Sequence, residues 1–274
     1  MTNALIPYEF DKKYEGVINV NVYIELAKFP VFSIEDVTNL TGNKNAAYSL
    51  MNRLMKKGLV KKIRNNVYSV VNPTSNQIIA TRFQVACAIT DTAYLSHYSA
   101  FEFYGIANQV FYEMYVSSET KFNHFEYDNI TYKFVSSKMK DGVVKANNTS
   151  GVRITDIERT VVDSIKDLNK IGGLENLLSC LDAIHYLDED KLKHYLAIYN
   201  VQGLFQRVGY ILNHFKEEMQ LSEDFIRYCK SKIGESKRYL ISNPNENSYY
   251  NSDWKLMIPK GLFDFMDQGE NELA

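Results

Sequence analysis

NKNAAYSLMNRLMKKGLVKKIRNN, residues 43 to 66, carries seven basic side chains (Lys44, Arg53, Lys56, Lys57, Lys61, Lys62 and Arg64) and no Asp or Glu. In a nearly neutral chain, a cluster of one sign at this density asks for an anionic partner. Ala47, Leu50, Met51 and Leu54 recur at helical spacing and predict a helix with one apolar face. Asn45, Tyr48, Ser49, Asn52, Arg53 and Lys56 then share the opposite face. Asn45, Asn52 and Arg53 carry groups that bond base edges, whereas Tyr48, Ser49 and Lys56 suit phosphates. The pattern is that of a recognition helix for double-stranded DNA.

The flanks fit this reading. Ser33 caps a short preceding helix with Glu35 and Asp36 in its first turn, and Thr41-Gly42-Asn43 stops it. Two short helices joined by a Gly-containing turn form a helix-turn-helix. Gly58 ends the basic helix, Leu59–Ile63 and Val67–Val71 alternate as strands, and Arg64-Asn65-Asn66 makes a tight turn between them. The hairpin is expected to act as a wing with a cationic tip, Arg64 entering the minor groove. Lys44, Lys56, Lys57, Lys61 and Lys62 are expected to neutralise phosphates. Residues 16–29 predict a first helix that ends before Pro30 and completes a three-helix core.

Asn72-Pro73-Thr74-Ser75-Asn76 is turn chemistry and reads as a linker. It divides an N-terminal winged helix-turn-helix, residues 1–72, from a mixed domain over 77–274, giving an α/β (α+β) chain. The second part predicts a helix over 78–89, then a helix capped by Ser96 and stopped by Gly105. Strand-like runs follow at Phe111–Val116, Thr131–Val135, Val143–Ala146 and Val152–Ile154, enough for a small antiparallel or mixed sheet. Helical period returns at Thr155 or Asp156, where Ile157, Val161, Val162 and Ile165 form a buried stripe and Arg159 with Asp163 reads as a surface ion pair. Further helices are expected over 173–185, 189–198, 204–217 and 222–232. A polar loop at Asn243–Ser252 and an extended segment at Trp254–Ile258 complete the chain.

The net charge of −2 conceals an asymmetry: without the seven basic residues the chain holds 24 basic and 33 acidic side chains, or −9. Cys87, Cys180 and Cys229 lie far apart in apolar surroundings and read as buried thiols of a cytoplasmic protein. Neither a signal peptide nor a membrane-spanning run is expected. The five histidines show no metal-ligand spacing, and no phosphate-binding glycine loop occurs, so no metal and no cofactor is expected. Asp156, Glu158 and Asp163 leave open a nuclease carrying a winged-helix address, although carboxylates at a helix start are already explained by the helix dipole. An interaction module docking an acidic protein is a third possibility.

Two later motifs add a resemblance. Leu95-Ser96-His97-Tyr98-Ser99-Ala100 with Tyr104-Gly105, and Ile154-Thr155-Asp156-Ile157-Glu158-Arg159-Thr160 with Val162-Asp163, follow the basic helix in this order. The layout over about 20–185 resembles the AbiE-type abortive-infection antitoxin family, the antitoxin half of type IV toxin–antitoxin pairs. The resemblance implies a phage-defence antitoxin that also represses its own operon by binding promoter inverted repeats. It further implies a cognate nucleotidyltransferase-type toxin as functional partner, opposed without a stable complex. The helical tail after about residue 185 matches nothing in the resemblance.

Overall fold

The structure, a computed structural model, describes residues 22–107, 109–241 and 247–264. It is of mixed α+β class. Contacts divide the chain into two compact units: the residues up to Ala93 with the returning segment Ala146–Val152, and Tyr94–Lys145 with the chain from Arg153 onward.

In the first unit, helix α1 covers residues 22–27; the earlier part of the expected 16–29 helix lies outside the described residues. Helix α2 (Ile34–Thr41) opens on a capping box, in which the Ser33 hydroxyl accepts the Asp36 N–H and the Asp36 carboxylate accepts the Ser33 N–H. Gly42, at φ +68, ends α2 by donating its N–H to the Thr38 carbonyl, a conformation that favours glycine. Asn43 then caps α3 (Lys44–Lys56) by accepting the N–H groups of Asn45 and Ala46. Strands β1 (Val60–Arg64) and β2 (Val67–Val70) pair antiparallel, with the register slipping between Lys62 and Arg64. Val37 of α2, Ala47, Leu50, Met51 and Leu54 of α3, and Val60 and Val70 of the hairpin share one core with Leu26 and Phe32.

The turn at 72–76 lies within this unit, because Asn72 N–H donates to Gln77 and Ile79 N–H to Val70. Helix α4 spans Arg82–Cys87, shorter than the expected 78–89. Ile78 is drawn into a bridge with Val71, and Thr81 forms a capping box with Gln84, which delays the helix start.

The second unit is built on a six-stranded mixed sheet of β3 (Tyr94–Leu95), β4 (Glu113–Ser118), β5 (Phe125–Tyr127), β6 (Ile130–Ser136), β7 (Val143–Lys145) and β8 (Arg153–Thr155). Their spatial order is β5-β6-β4-β3-β8-β7, and the β4–β6 and β3–β8 pairs are parallel. Ser96 does not cap a helix here. Its N–H continues the ladder toward the Tyr115 carbonyl and its hydroxyl bonds Ser117, so α5 (Tyr98–Phe103) starts after His97, which takes φ +53. Gly105 does stop α5, at φ +73.

Helix α6 (Ile157–Lys166) is the centre of this unit, with every residue from Glu158 to Ile165 buried. Asp156 caps it by accepting the Arg159 N–H. Around it lie α7 (Leu174–Asp182), α8 (Glu189–Tyr199), α9 (Gln202–His214) and α10 (Glu223–Ser231). Arg159 and Asp163 are not a surface pair: their side chains are 1% and 5% exposed, with Arg159 Nε 3.0 Å from Asp163 Oδ2. Arg159 Nη1 donates to the Asp141 carbonyl, and the Tyr199 hydroxyl of α8 donates to the other oxygen of Asp163. Burial, the largest single influence, pushes the Arg159 guanidinium down, but Asp163 together with the Tyr199 and Tyr94 hydroxyls outweighs it and its pKa is raised. Glu158, also buried, accepts the Asp188 N–H and the Lys191 ammonium at the start of α8.

A three-stranded sheet, β9 (Arg238–Tyr239), β10 (Ser248–Asn251) and β11 (Leu256–Pro259), completes the described chain in the order β10-β11-β9. The expected polar loop at 243–252 is therefore a strand from Ser248 to Asn251, with its start outside the described residues. Cys87, Cys180 and Cys229 are buried and joined in no disulfide, and burial pushes the Cys180 and Cys229 thiols up to about 12.

Removing one partner of the α6 pair strands a charge in the interior. Asp163→Asn is expected to destabilise the protein by about 3–5 kcal/mol, read from urea denaturation midpoints. A change below about 1 kcal/mol, the worth of an exposed pair, would show that water screens the site.

Candidate nucleic-acid interface

Helix α3 owes its orientation to four side chains. Ala47, Leu50, Met51 and Leu54 are buried, which leaves Lys44, Asn45, Tyr48, Ser49, Asn52, Arg53, Lys56 and Lys57 exposed. Positions 45, 48, 49, 52, 53 and 56 are linked by i,i+3 and i,i+4 relations and so share one solvent-facing stripe about 16 Å long. Local stability does not ask for this composition. No carboxylate occupies the first turn of α3, and Lys44 sits at the positive end of the helix dipole, where an anion would be favoured. Arg53 and Lys56 stand in the last turn, where cations are favourable, so those two charges have a structural reason besides any ligand.

The hairpin is less uniform. Lys62 is exposed, while Lys61 is half-buried with its ammonium 2.9 Å from the Asn76 carbonyl. Arg64 ends β1 opposite Val67 and is half-buried, and burial lowers its pKa. The tip consists of the uncharged Asn65 and Asn66. Asn66, at φ +58, is occupied within the fold: its Oδ1 accepts the Ile34 N–H at 2.9 Å and its Nδ2 donates to Glu35 at 2.8 Å. That hydrogen bond, with Lys44 a smaller contributor, holds the Glu35 carboxyl below its usual range. Asn66 thus ties the hairpin tip to the start of α2, and sequence reading missed this because its two partners lie 31 and 32 residues away.

The carboxylates that suggested a nuclease are engaged in the fold. Asp163 pairs with Arg159 and Tyr199, Glu158 with Lys191 and the Asp188 N–H, and Asp156 with the Tyr195 hydroxyl at 2.6 Å. Among the described residues, no group of three His, Cys, Asp or Glu side chains is placed to hold a metal ion.

The second unit holds a small polar pocket lined by His97, Ser117, Ser137, Arg159, Lys166 and Asp167, with about 30 Å³ of room. That is space for about two waters. Ser96 and Ser117 share a hydrogen bond of 2.7 Å, and Ser96 reaches His97 Nδ1 at 2.9 Å. His97 Nε2 is buried without a hydrogen-bond partner, 3.6 Å from Asp167 Oδ2. Burial pushes the Asp167 carboxyl up, but His97, Lys170 and Lys166 outweigh it and hold its pKa well below the usual carboxylate range.

No family model matches the chain, and no curated protein matches it. Its fold is similar to that in a crystal structure of the Rv2827c protein from Mycobacterium tuberculosis, with a TM-score of 0.65 over 94% of this chain and 96% of that chain. The two are 13% identical in sequence, so the likeness is one of fold.

Two outcomes follow from the geometry. Asn66→Gly keeps the positive φ and removes the amide, and is expected to lower stability by about 1 kcal/mol in chemical denaturation; an unchanged midpoint would mean the tip-to-α2 link carries no weight. A depressed folded-state pKa stabilises above the unfolded value of about 3.9 and ceases to do so as pH falls. Stability measured from pH 7 down to about 2.5 should therefore fall less in Asp167→Asn than in the parent; parallel curves would remove Asp167 as a cause.

Proposed function

We propose that the chain is the antitoxin and transcriptional repressor of an AbiE-like type IV toxin–antitoxin pair. In this reading the winged helix-turn-helix belongs to the first compact unit, which runs past the 72–76 turn to Ala93, and the antitoxin part to the second. The observation that carries the DNA-binding half is the exposed stripe of α3, which sets Asn45, Asn52 and Arg53 beside Lys44, Lys56 and Lys57 with no carboxylate among them. Inserted in a major groove, Asn45, Asn52 and Arg53 face base edges, and Tyr48 and Ser49 lie alongside. The lysines answer phosphates and set the register without reading sequence. Lys62 is the exposed hairpin cation suited to the flanking backbone, while half-buried Lys61 and Arg64 are secondary.

One α3 stripe covers a short half-site, so inverted repeats in a promoter accommodate two copies with their recognition helices about one duplex turn apart, roughly 34 Å. The antitoxin half rests on the ordered motifs from Leu95 to Ala100 and from Ile154 to Asp163, together with the resemblance they carry. A nucleotidyltransferase-type toxin is the functional partner in that reading.

The test is a mobility shift on the chain's own promoter at physiological salt. Arg53→Ala is expected to weaken the promoter complex by about 1–3 kcal/mol and to relax base preference. Lys56→Ala is expected to weaken promoter and scrambled duplex alike and to flatten the salt dependence by about one unit. Equal affinity for promoter and scrambled duplex in the parent protein would refute specific repression.

A further inference from the structure

The sheet β10-β11-β9 has one face committed to the protein and one that is open. Leu256 and Ile258 of β11 are fully buried, Gln206 of α9 donates to the Trp254 and Lys255 carbonyls, and Arg207 of α9 donates to the Tyr239 carbonyl. The register fixes what lies opposite. Met257 pairs with Tyr250 on one side and with Tyr239 on the other, so the three side chains form a row across the sheet on the face away from Leu256 and Ile258. Tyr239 and Tyr250 are 43% and 48% exposed on this face.

The row is also cationic. Lys237 places its ammonium 5.8 Å from the Tyr239 ring centre and 5.5 Å from that of Tyr250, between the two. Residues 228–260 carry six basic and three acidic side chains; Lys255 and Lys230 are drawn to Glu235 and Asp253, at 3.0 and 3.9 Å, and Lys237 is the cation that the ring contacts place on the row. Exposed rings also serve protein interfaces; what favours a polynucleotide here is two rings with one lysine between them, the spacing of a base–phosphate–base unit.

We propose that this face binds single-stranded nucleic acid. One base stacks on Tyr250 and a neighbouring base on Tyr239, Met257 packs between them, and Lys237 turns from the rings to the phosphate linking the two nucleotides. The two rings stand on strands separated by β11, roughly 10 Å apart. An extended strand spans that distance with its bases unstacked from each other, which a duplex does not allow. Stacking accepts every base, so the surface is tolerant of sequence and dependent on salt.

The experiment is fluorescence anisotropy of the full chain with labelled oligo(U) and oligo(dT) of about ten nucleotides, beside an oligoglutamate peptide of matched charge. Binding of either oligonucleotide, weakened about tenfold by Tyr239→Leu and by Tyr250→Leu and retained in the Tyr→Phe variants, supports the proposal. The two oligonucleotides separate RNA from DNA as the source of the strand. Lys237→Ala should flatten the salt slope by about one unit. Single-strand binding indifferent to both leucine variants, no binding at all, or tighter binding of oligoglutamate would overturn it. The promoter duplex, titrated in parallel, reports on the repressor reading separately.

Discussion

Arg159 and Asp163 sit one turn apart on α6, a helix buried over eight successive residues, and neither charge could be tolerated there alone. Their mutual attraction does not by itself stabilise the protein much, since desolvating both groups offsets most of the Coulomb gain. What the pair does is demand an arrangement. Arg159 has donors left over that reach the Asp141 carbonyl, and Asp163 has an oxygen left over that takes the Tyr199 hydroxyl. The segment before β7, helix α6 and the end of α8 must therefore meet in one geometry. The same logic runs along the rest of the helix: Glu158 engages the start of α8, Asp156 receives Tyr195, and Thr160 bonds Thr155 at 2.7 Å. The Ile154–Asp163 motif is thus a set of polar pins, three of which, Asp156, Glu158 and Asp163, hold α8.

The companion motif works in a similar way. Leu95 pairs with Ile154 across parallel strands, the Ser99 hydroxyl accepts the Tyr115 N–H at 2.7 Å, and the Tyr104 hydroxyl donates to the Thr155 carbonyl at 2.8 Å. Two stretches nearly sixty residues apart are thereby joined at the centre of one sheet. His97 Nε2 makes no hydrogen bond in this network and faces Asp167 Oδ2 at 3.6 Å, in a backbone conformation that non-glycine residues rarely adopt.

Features governed by neighbours a few residues away were legible in the sequence. Ser33 and Asp156 act as caps, Gly42 and Gly105 as stops, and the apolar stripe of α3 as its buried face, because each depends on local hydrogen bonding or helical period; Asn43, read as part of the stop of α2, also caps α3. Features set by distant partners were not. The Arg159–Asp163 spacing reads the same on an exposed or an enclosed helix, and only α8 and the Asp141 segment decide which it is. Ser96 has the side chain of a cap, but a two-residue strand claims its N–H and Ser117 claims its hydroxyl. Strand β10 looked like a polar loop because Ser248 to Asn251 alternates no apolar pattern of its own and takes its conformation from pairing with β11. On the basic surface, the exposed stripe followed from helical period alone, whereas the engagement of Asn66 and the half-burial of Arg64 depend on the slipped hairpin register.

The composition of α3 is where folding and function can be told apart. Its core side needs four apolar residues, and any soluble outer face would serve packing equally well. The first turn of α3 begins with Lys44 where an acid would be worth about 0.3–1 kcal/mol, but α9 also begins without acid, so what sets α3 apart is the run of cations along its exposed side. Placing a large aromatic such as Tyr48 at 47% exposure on the same face likewise gains nothing for the core. Meanwhile the chain outside residues 43–66 bears a net −9, so the cations are not a general property of this protein. Ionic screening at physiological salt confines each charge to about 8 Å. Under that screening scattered cations act singly, and a stripe of them on one helix acts together, which is the arrangement a polyanion can sense.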